Sequence, residues 1–126
     1  MKPTAIRIVV VDDNVIFLDL LIDLLTRYAE LQVVGRALSG QQAMELAGSL
    51  RPDLVITDLQ MPGLNGLEVC TRLKALKAPP KVIVISLHEG ESFRQAAQDA
   101  GADAFLSKSD LHDDLVPTIL KLLPLY

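Results

Sequence analysis

The fold of this chain is decided by the stretch IRIVVVDD, residues 6–13. It is a short apolar run, rich in β-branched residues, that stops at two adjacent carboxylates. A second run, LVITD at residues 54–58, stops in the same way at Asp58. Side chains that follow the strands of an open parallel sheet lie at its carboxyl edge, where binding sites are built. We therefore expect Asp12, Asp13 and Asp58 to share one site.

Five such runs alternate with helical segments along the chain. The predicted strands centre on residues 6–11, 32–37, 54–57, 81–85 and 104–106. The predicted helices cover residues 14–28, 40–50, 66–77, 92–100 and about 112–123. Ser39 and Asn65 are the expected N-caps of the second and third helices, and Gly101 suits the left-handed position after the fourth. Pro117 fits the last helix only in or near its first turn. Regular alternation of this kind predicts an α/β fold with a parallel sheet covered on both faces.

Composition restricts the function classes that remain. The chain has 126 residues and a net charge of -4, and its acidic and basic residues are interleaved. No basic patch suits nucleic acid, so we expect no direct binding to it. Cys70 is the only cysteine and can form no intrachain disulfide. No apolar stretch is long enough to cross a membrane. We expect one cytoplasmic domain over residues 1–126, structured from about 5 to 123, with no output domain.

Two further strand ends carry polar groups suited to the same edge. Ser86 ends the fourth strand and Lys108 follows the fifth. Clustered carboxylates repel one another unless a cation lies among them, and Mg²⁺ prefers carboxylate and phosphate oxygens. An aspartate carboxylate can accept a phosphoryl group, an amine can neutralise its oxygens and a hydroxyl can donate a hydrogen bond to them. The set predicts a Mg²⁺-dependent phosphoryl site.

Four motifs make the chain resemble the receiver domain of two-component response regulators over essentially its full length. They are VDD at 11–13, TDLQMPGLNG at 57–66, IS at 85–86 and GADAFLSK at 101–108. The resemblance implies a doubly wound, flavodoxin-like (βα)5 domain with strand order 2-1-3-4-5. It also implies a signalling module rather than an enzyme, apart from help with its own phosphorylation and slow dephosphorylation.

The resemblance implies a role for each site residue. Asp58 would take a phosphoryl group from a phosphohistidine on a sensor histidine kinase or phosphotransfer protein. Asp13, Asp58 and the Gln60 backbone carbonyl would hold Mg²⁺, with Asp12 acting through water. Lys108 would bind the phosphoryl group, and Ser86 would bind it after transfer. Ser86 and Phe105 would form the family's switch, in which the hydroxyl moves toward the phosphate and the ring turns inward. Phe105 is equally well explained as core filler.

Two positions depart from the commonest receiver pattern. Ser109 stands where many receivers have proline after a cis bond, so we expect a trans bond there. Leu87 stands where many have alanine. With HE at 88–89 and GAD at 101–103, this resembles receivers whose output is a LuxR-type helix-turn-helix. The implied output is transcription, through a separate or removed DNA-binding domain.

A possible partner surface involves the first and last helices. On the first helix, the side chains expected in the core are Leu18, Leu21 and Leu25. The apolar side chains expected nearer to solvent are Ile16 and Leu20 on the first helix and Leu120 on the last. A strip of this kind can dock a kinase helix or a second copy. Scattered surface apolar residues explain it equally well. The face formed by the fourth helix, fifth strand and fifth helix is a second candidate for a homodimer.

Three other functions compete with the switched receiver. A haloacid-dehalogenase-type phosphatase would need Asp-x-Asp after the first strand, but here the acids are adjacent. A flavin or nucleotide site would need a phosphate-cradling loop there, and two carboxylates would repel the phosphate. The third is a receiver-like interaction module that works without phosphorylation. The presence of all five expected site residues argues against it.

Overall fold

The computed structural model describes residues 5–88 and 90–124. Strands and helices alternate along these residues. The strands are β1 (Ile6–Val11), β2 (Leu31–Ala37), β3 (Leu54–Asp58), β4 (Lys81–Ser86) and β5 (Ala104–Ser107). The helices are α1 (Val15–Thr26), α2 (Gly40–Leu50), α3 (Gly66–Lys74), α4 (Glu91–Asp99) and α5 (Leu111–Leu122). A short 3-10 turn, Lys108–Asp110, joins β5 to α5. All strand pairs are parallel in the order β2-β1-β3-β4-β5, which confirms the flavodoxin-like prediction.

The sheet separates two apolar cores. Successive side chains of a strand point to opposite faces, so Ile8 and Val10 enter one core while Val9 and Val11 enter the other. The first core is completed by α1 and α5, whose buried residues are Leu18, Leu21, Leu25, Leu111, Leu115, Val116 and Ile119. The second core is covered by α2, α3 and α4. Burial on both faces explains why the strands read as continuous apolar runs.

The expected helix caps are present. The Ser39 hydroxyl oxygen accepts a hydrogen bond from the Gln42 backbone N–H. Asn65 accepts one from the Glu68 N–H at 3.0 Å, and its own N–H donates to the Glu68 carboxylate at 3.1 Å. This reciprocal box satisfies two amides that a helix end leaves without partners. Gly101 has a φ of +94°, the positive value expected after α4.

Several helix ends differ from the predictions. α1 spans Val15–Thr26 and α3 stops at Lys74, each shorter than expected at its C-terminal end. The N–H of Ala75 bonds to the carbonyls of Arg72 and Leu73, which closes α3 in a tight turn before the two prolines. α4 begins at Glu91, one residue earlier than predicted, and ends at Asp99.

The expectation for Pro117 is wrong. It lies inside α5, six residues after the first helical position, rather than in the first turn. Proline removes one backbone donor and clashes with the carbonyl four residues earlier. Pro117 and Asp113 are both exposed, so water can satisfy that carbonyl. The buried side of α5 holds the helix together across the defect.

Two further observations concern the surface. Ile16, Leu20 and Leu120 are 75%, 62% and 39% exposed, as expected from their positions on α1 and α5. Among the residues that the structure describes, no helix has the length and apolar character needed to cross a membrane.

Candidate functional site

Three carboxylates meet at the carboxyl edge of the sheet. β1 and β3 are neighbours, with Val11 opposite Thr57, and this register brings Asp12 and Asp13 beside Asp58. One carboxylate oxygen from each residue lies within 4.8 Å of the others. Asp12 and Asp58 are buried, whereas Asp13 is exposed. The site therefore has two buried carboxylates and a third that faces solvent.

The cap of α1 is Asn14 rather than Asp13, and the Asn14 side-chain oxygen accepts from the Phe17 N–H at 3.1 Å. The Asn14 N–H in turn donates to Asp12 Oδ1 at 2.9 Å. Helix capping is thus carried by the neighbouring amide, and it does not account for the second acid of the pair.

Burial and charge act together on Asp58. The pKa of its carboxyl is raised from 3.8 to about 6, chiefly by burial and next by the negative charge of Asp12. The ammonium of Lys108 opposes the rise, Asp13 adds a little to it, and a hydrogen bond from the Gln60 backbone N–H lowers it. Three carboxylates lie beside one ammonium, so the site has an excess of negative charge. Such a site favours binding of a cation.

Lys108 provides a positive charge beside these carboxylates. Its Nζ lies 2.8 Å from Asp12 Oδ2 and 3.6 Å from Asp58 Oδ1. The side chain is only 8% exposed. Lys108 starts the 3-10 turn after β5, and the Ser107 hydroxyl caps that turn by accepting from the Ser109 N–H. The Lys108–Ser109 bond is trans, as expected, because no cis bond occurs in the described residues.

Ser86 lies at the same edge, at the end of β4. Its side chain is almost fully buried, and its oxygen accepts a hydrogen bond from the His88 N–H at 2.9 Å. The strands bring it near Asp58, which pairs with Ile85 in the register of β3 and β4. Among the residues that the structure describes, none accepts a hydrogen bond from the Ser86 hydroxyl.

Phe105 is buried in the core under α2, α3 and α4. Its ring therefore lies inward, and the guanidinium of Arg94 on α4 lies 5.2 Å from the ring centroid. Nearby, the rings of His88 and Phe93 stack with centroids 5.3 Å apart.

The loop between β3 and α3 is shaped by two glycines. Gly63 has a φ of +73°, which a type II turn with Pro62 before it requires. At Gly66 a Cβ atom would overlap the Asp58 carbonyl oxygen. The Gly66 N–H donates to the Leu59 carbonyl at 2.9 Å. Only glycine allows α3 to start this close to Asp58. Gln60, two residues after Asp58, is exposed on this loop.

A contact of Phe17 was missed by the sequence reasoning. Its ring centroid lies 4.0 Å from Lys108 Nζ. Phe17 lies in an apolar helical stretch, and its spacing carries no signal for this contact. The available clue was that it is the only aromatic side chain within α1, one turn after the acid pair.

A doubly wound sheet with three carboxylates, an ammonium and a hydroxyl at its carboxyl edge defines a class of signalling domains. Residues 8–120 match the family model of the response regulator receiver domain, and the chain belongs to this family. The chain is similar to the nitrate/nitrite response regulator NarL of Escherichia coli, at 35% identity over 112 residues. That match covers 89% of this chain and 52% of NarL. It is also 33% identical to the response regulator GacA of Pseudomonas aeruginosa over 114 residues, covering 90% of this chain and 53% of GacA.

Solved structures agree with these matches. The signal receiver domain of NarL from Mycobacterium tuberculosis superposes with a TM-score of 0.90 at 31% identity, covering 95% of this chain and 97% of that one. A LuxR-family two-component response regulator from Aurantimonas has a TM-score of 0.89 at 29% identity, covering 94% and 85%. The predicted receiver fold and its likeness to LuxR-type regulators are confirmed. The chain spans about half the length of the curated relatives it matches.

The donor set fits the cation that receivers use. Asp12, Asp13 and Asp58 form the acidic triad typical of the receiver Mg²⁺ site, and all three offer hard oxygen ligands. Burial is the largest cause of the raised pKa of Asp58, and the negative charges of Asp12 and Asp13 add to it. The part of Gln60, whose backbone carbonyl was expected to complete the set, stays a prediction.

Proposed function

We propose that Asp58 accepts a phosphoryl group from the phosphohistidine of a sensor histidine kinase or phosphotransfer protein. The observation that carries the proposal is the buried Asp58 carboxylate, with two carboxylates on one side and the Lys108 ammonium on the other. An acceptor needs a nucleophilic oxygen and counter-charges for the phosphoryl oxygens, and this cluster offers both.

The transfer is an exchange of one bond for another. An oxygen of ionised Asp58 attacks phosphorus, and the O–P bond forms as the P–N bond to the imidazole breaks. The imidazole nitrogen leaves with the electron pair. A pKa of about 6 leaves Asp58 mostly ionised at neutral pH, so the nucleophile is ready. Lys108 neutralises one phosphoryl oxygen as a point charge.

Asp13, Asp58 and the Gln60 carbonyl are proposed to hold Mg²⁺, with Asp12 acting through a water. The bound Mg²⁺ would stabilise the charge on the phosphoryl oxygens during transfer. The carboxylates of this chain determine where Mg²⁺ can bind. Asp12 is held by two donors, the Asn14 N–H and Lys108, and Asp13 is the acid nearest to solvent.

Ser86 and Phe105 are proposed to carry the change to the rest of the domain. The Ser86 oxygen already accepts from the His88 N–H, so its hydrogen is free to donate to a phosphoryl oxygen on Asp58. Such a bond would pull on the loop between β4 and α4. Phe105 is buried in this conformation. Beryllofluoride, which mimics a phosphoryl group, is expected to alter α4 and the Phe105 side chain.

The proposed output is regulation of transcription. The proposed location of the protein is the cytoplasm. The receiver would act through a separate or removed DNA-binding domain, as the LuxR-type relatives suggest. The chain is proposed to be a single receiver domain without an activity on other substrates, beyond assisting its own phosphorylation and slow dephosphorylation. Its homodimer contact would use α1 and α5, through Ile16, Leu20 and Leu120, or the face of α4, β5 and α5. No direct contact with nucleic acid or membrane is proposed.

Intact-mass measurement after incubation with acetyl phosphate and Mg²⁺ tests the proposal. We expect the mass of one phosphoryl group on the wild-type protein and none on Asp58→Ala. Asp23→Ala, an exposed acid on α1, is the matched control and should gain the mass as wild type does. No gain by wild type would favour an interaction module that works without phosphorylation, and an equal gain by Asp58→Ala would show that a residue other than Asp58 accepts the group.

A further inference from the structure

The aromatic ring of Phe17 covers the ammonium that serves the phosphoryl site. The Lys108 Nζ lies 4.0 Å from the ring centroid, within the range of a cation–π contact. We propose that Phe17 is a positioning residue for phosphoryl transfer, holding the Lys108 ammonium between Asp12 and Asp58. The inference rests on the proposed function of Asp58 and adds a residue to it.

The hydrogen-bond donors of Lys108 explain why an aromatic ring can stabilise its ammonium. An ammonium has three N–H donors and no acceptor. One donor reaches Asp12 Oδ2 at 2.8 Å, and Asp58 Oδ1 lies at 3.6 Å, beyond a good hydrogen bond. The side chain is 8% exposed, so water has little access. The negative face of the Phe17 ring supplies attraction on the remaining side.

The ring is fixed relative to the carboxylates by the start of α1. Asp12 Oδ1 accepts from the Asn14 N–H, and Asn14 Oδ1 accepts from the Phe17 N–H. Asp12 Oδ2 accepts from Lys108, whose ammonium faces the Phe17 ring. These four residues form a closed circuit of contacts. A shift of the ring would therefore move the ammonium relative to Asp12 and Asp58 together.

Position matters because the ammonium is nearer to Asp12 than to Asp58. With Asp12 alone, one short bond would hold the ammonium, and the position of the ammonium relative to Asp58 would be poorly fixed. The ring provides a second anchor, so the charge stays within reach of an oxygen carried on Asp58. Catalysis of phosphoryl transfer consists largely of such placement of charge. A leucine at position 17 would fill similar space but offer no negative face.

Phe17 also packs against the core beside α1 and α5, so a purely space-filling role is the competing explanation. The two roles respond differently to fluorine. Fluorination withdraws electrons from the ring face while nearly keeping the ring's shape. A space-filling ring should tolerate it, whereas a cation–π partner should weaken with each added fluorine.

The test replaces Phe17 with mono-, di- and trifluorinated phenylalanine and with leucine. The rate of phosphoryl uptake from acetyl phosphate is followed by intact mass at saturating Mg²⁺, with circular dichroism to verify folding. We expect a graded fall along the fluorinated series, reaching roughly three- to tenfold, the range that a cation–π contact supplies. Phe93, whose ring stacks on His88 rather than on a lysine, receives the same replacements as a control and should not change the rate.

Each other result overturns the inference. A flat series at position 17, in a protein that takes up the phosphoryl group, removes the positioning role and leaves the function of Asp58 intact. Equal falls at positions 17 and 93 show that the ring charge over Lys108 is not the cause. No uptake by the unsubstituted protein removes the proposed function and this inference with it.

Discussion

Replacing Asp58 with asparagine should stabilise the domain near neutral pH. Ionised Asp58 is held in a buried position beside two other carboxylates, and the fold raises its pKa from 3.8 to about 6. A shift of one unit corresponds to 1.36 kcal/mol, so the ionised carboxylate costs the folded state up to about 3 kcal/mol. Asparagine keeps the shape without the charge but loses the attraction to Lys108. We expect Asp58→Asn to raise the free energy of unfolding by about 2 kcal/mol.

The sign of the pH dependence follows from the direction of the shift. Between about pH 4 and pH 6 the folded protein binds the Asp58 proton more tightly than the unfolded chain does. The favourable contribution of protonated Asp58 is complete below about pH 4 and is lost as the pH rises through about 6. The advantage of Asp58→Asn should therefore be greatest above about pH 7 and vanish near pH 4.

Urea denaturation of both proteins across this pH range, with EDTA present to remove divalent cations, measures the difference. Asp23→Asn is the control for general effects of removing an acid, because Asp23 is exposed on α1. It should change the stability little and with no such pH profile. A difference between wild type and Asp58→Asn that stays constant with pH, or that favours wild type at neutral pH, would refute the reasoning about burial and charge.

Two further predictions concern the backbone. Gly66→Ala should cost at least about 3 kcal/mol, because the new Cβ overlaps the Asp58 carbonyl oxygen, whereas Gly48→Ala in α2 meets nothing within 4 Å and should gain about 0.5–1 kcal/mol. Urea denaturation of the pair measures both, and equal effects would contradict the close approach of α3 to β3. Pro117→Ala should raise stability by about 1–3 kcal/mol by restoring a backbone donor inside α5. A loss of stability on thermal unfolding would show that the rigidity of the proline outweighs the missing hydrogen bond.

Local patterns were sufficient to predict most of the fold. The strands are short apolar runs whose period and ends are visible in the chain, and all five were found at the expected places. Helix starts were predicted well where a cap residue marks them, as at Ser39 and Asn65. Helix ends were predicted less well. Residues 75–77 have ordinary helical propensity, and a tight final turn rather than propensity ends α3.

Pro117 shows where local rules fail. Proline disfavours a helix interior, and from the chain alone Pro117 was expected only in or near the first turn of the last helix. Pro117 instead lies in the interior of α5, because four buried side chains on one face outweigh one missing hydrogen bond on the exposed face. The sum of those tertiary contacts is not visible in a local window.

The functional site likewise combines features that the sequence predicts with features that depend on tertiary packing. The amino-acid order was enough to place Asp12, Asp13, Asp58, Ser86 and Lys108 at one edge, since strand direction in a parallel sheet carries each strand end there. Packing was needed to bury Asp58 and raise its pKa, and to turn the Phe105 ring inward. The contact of Phe17 with Lys108 also depended on packing. It joins the first helix to the turn after the last strand, and such a contact between distant parts of a chain leaves no local pattern.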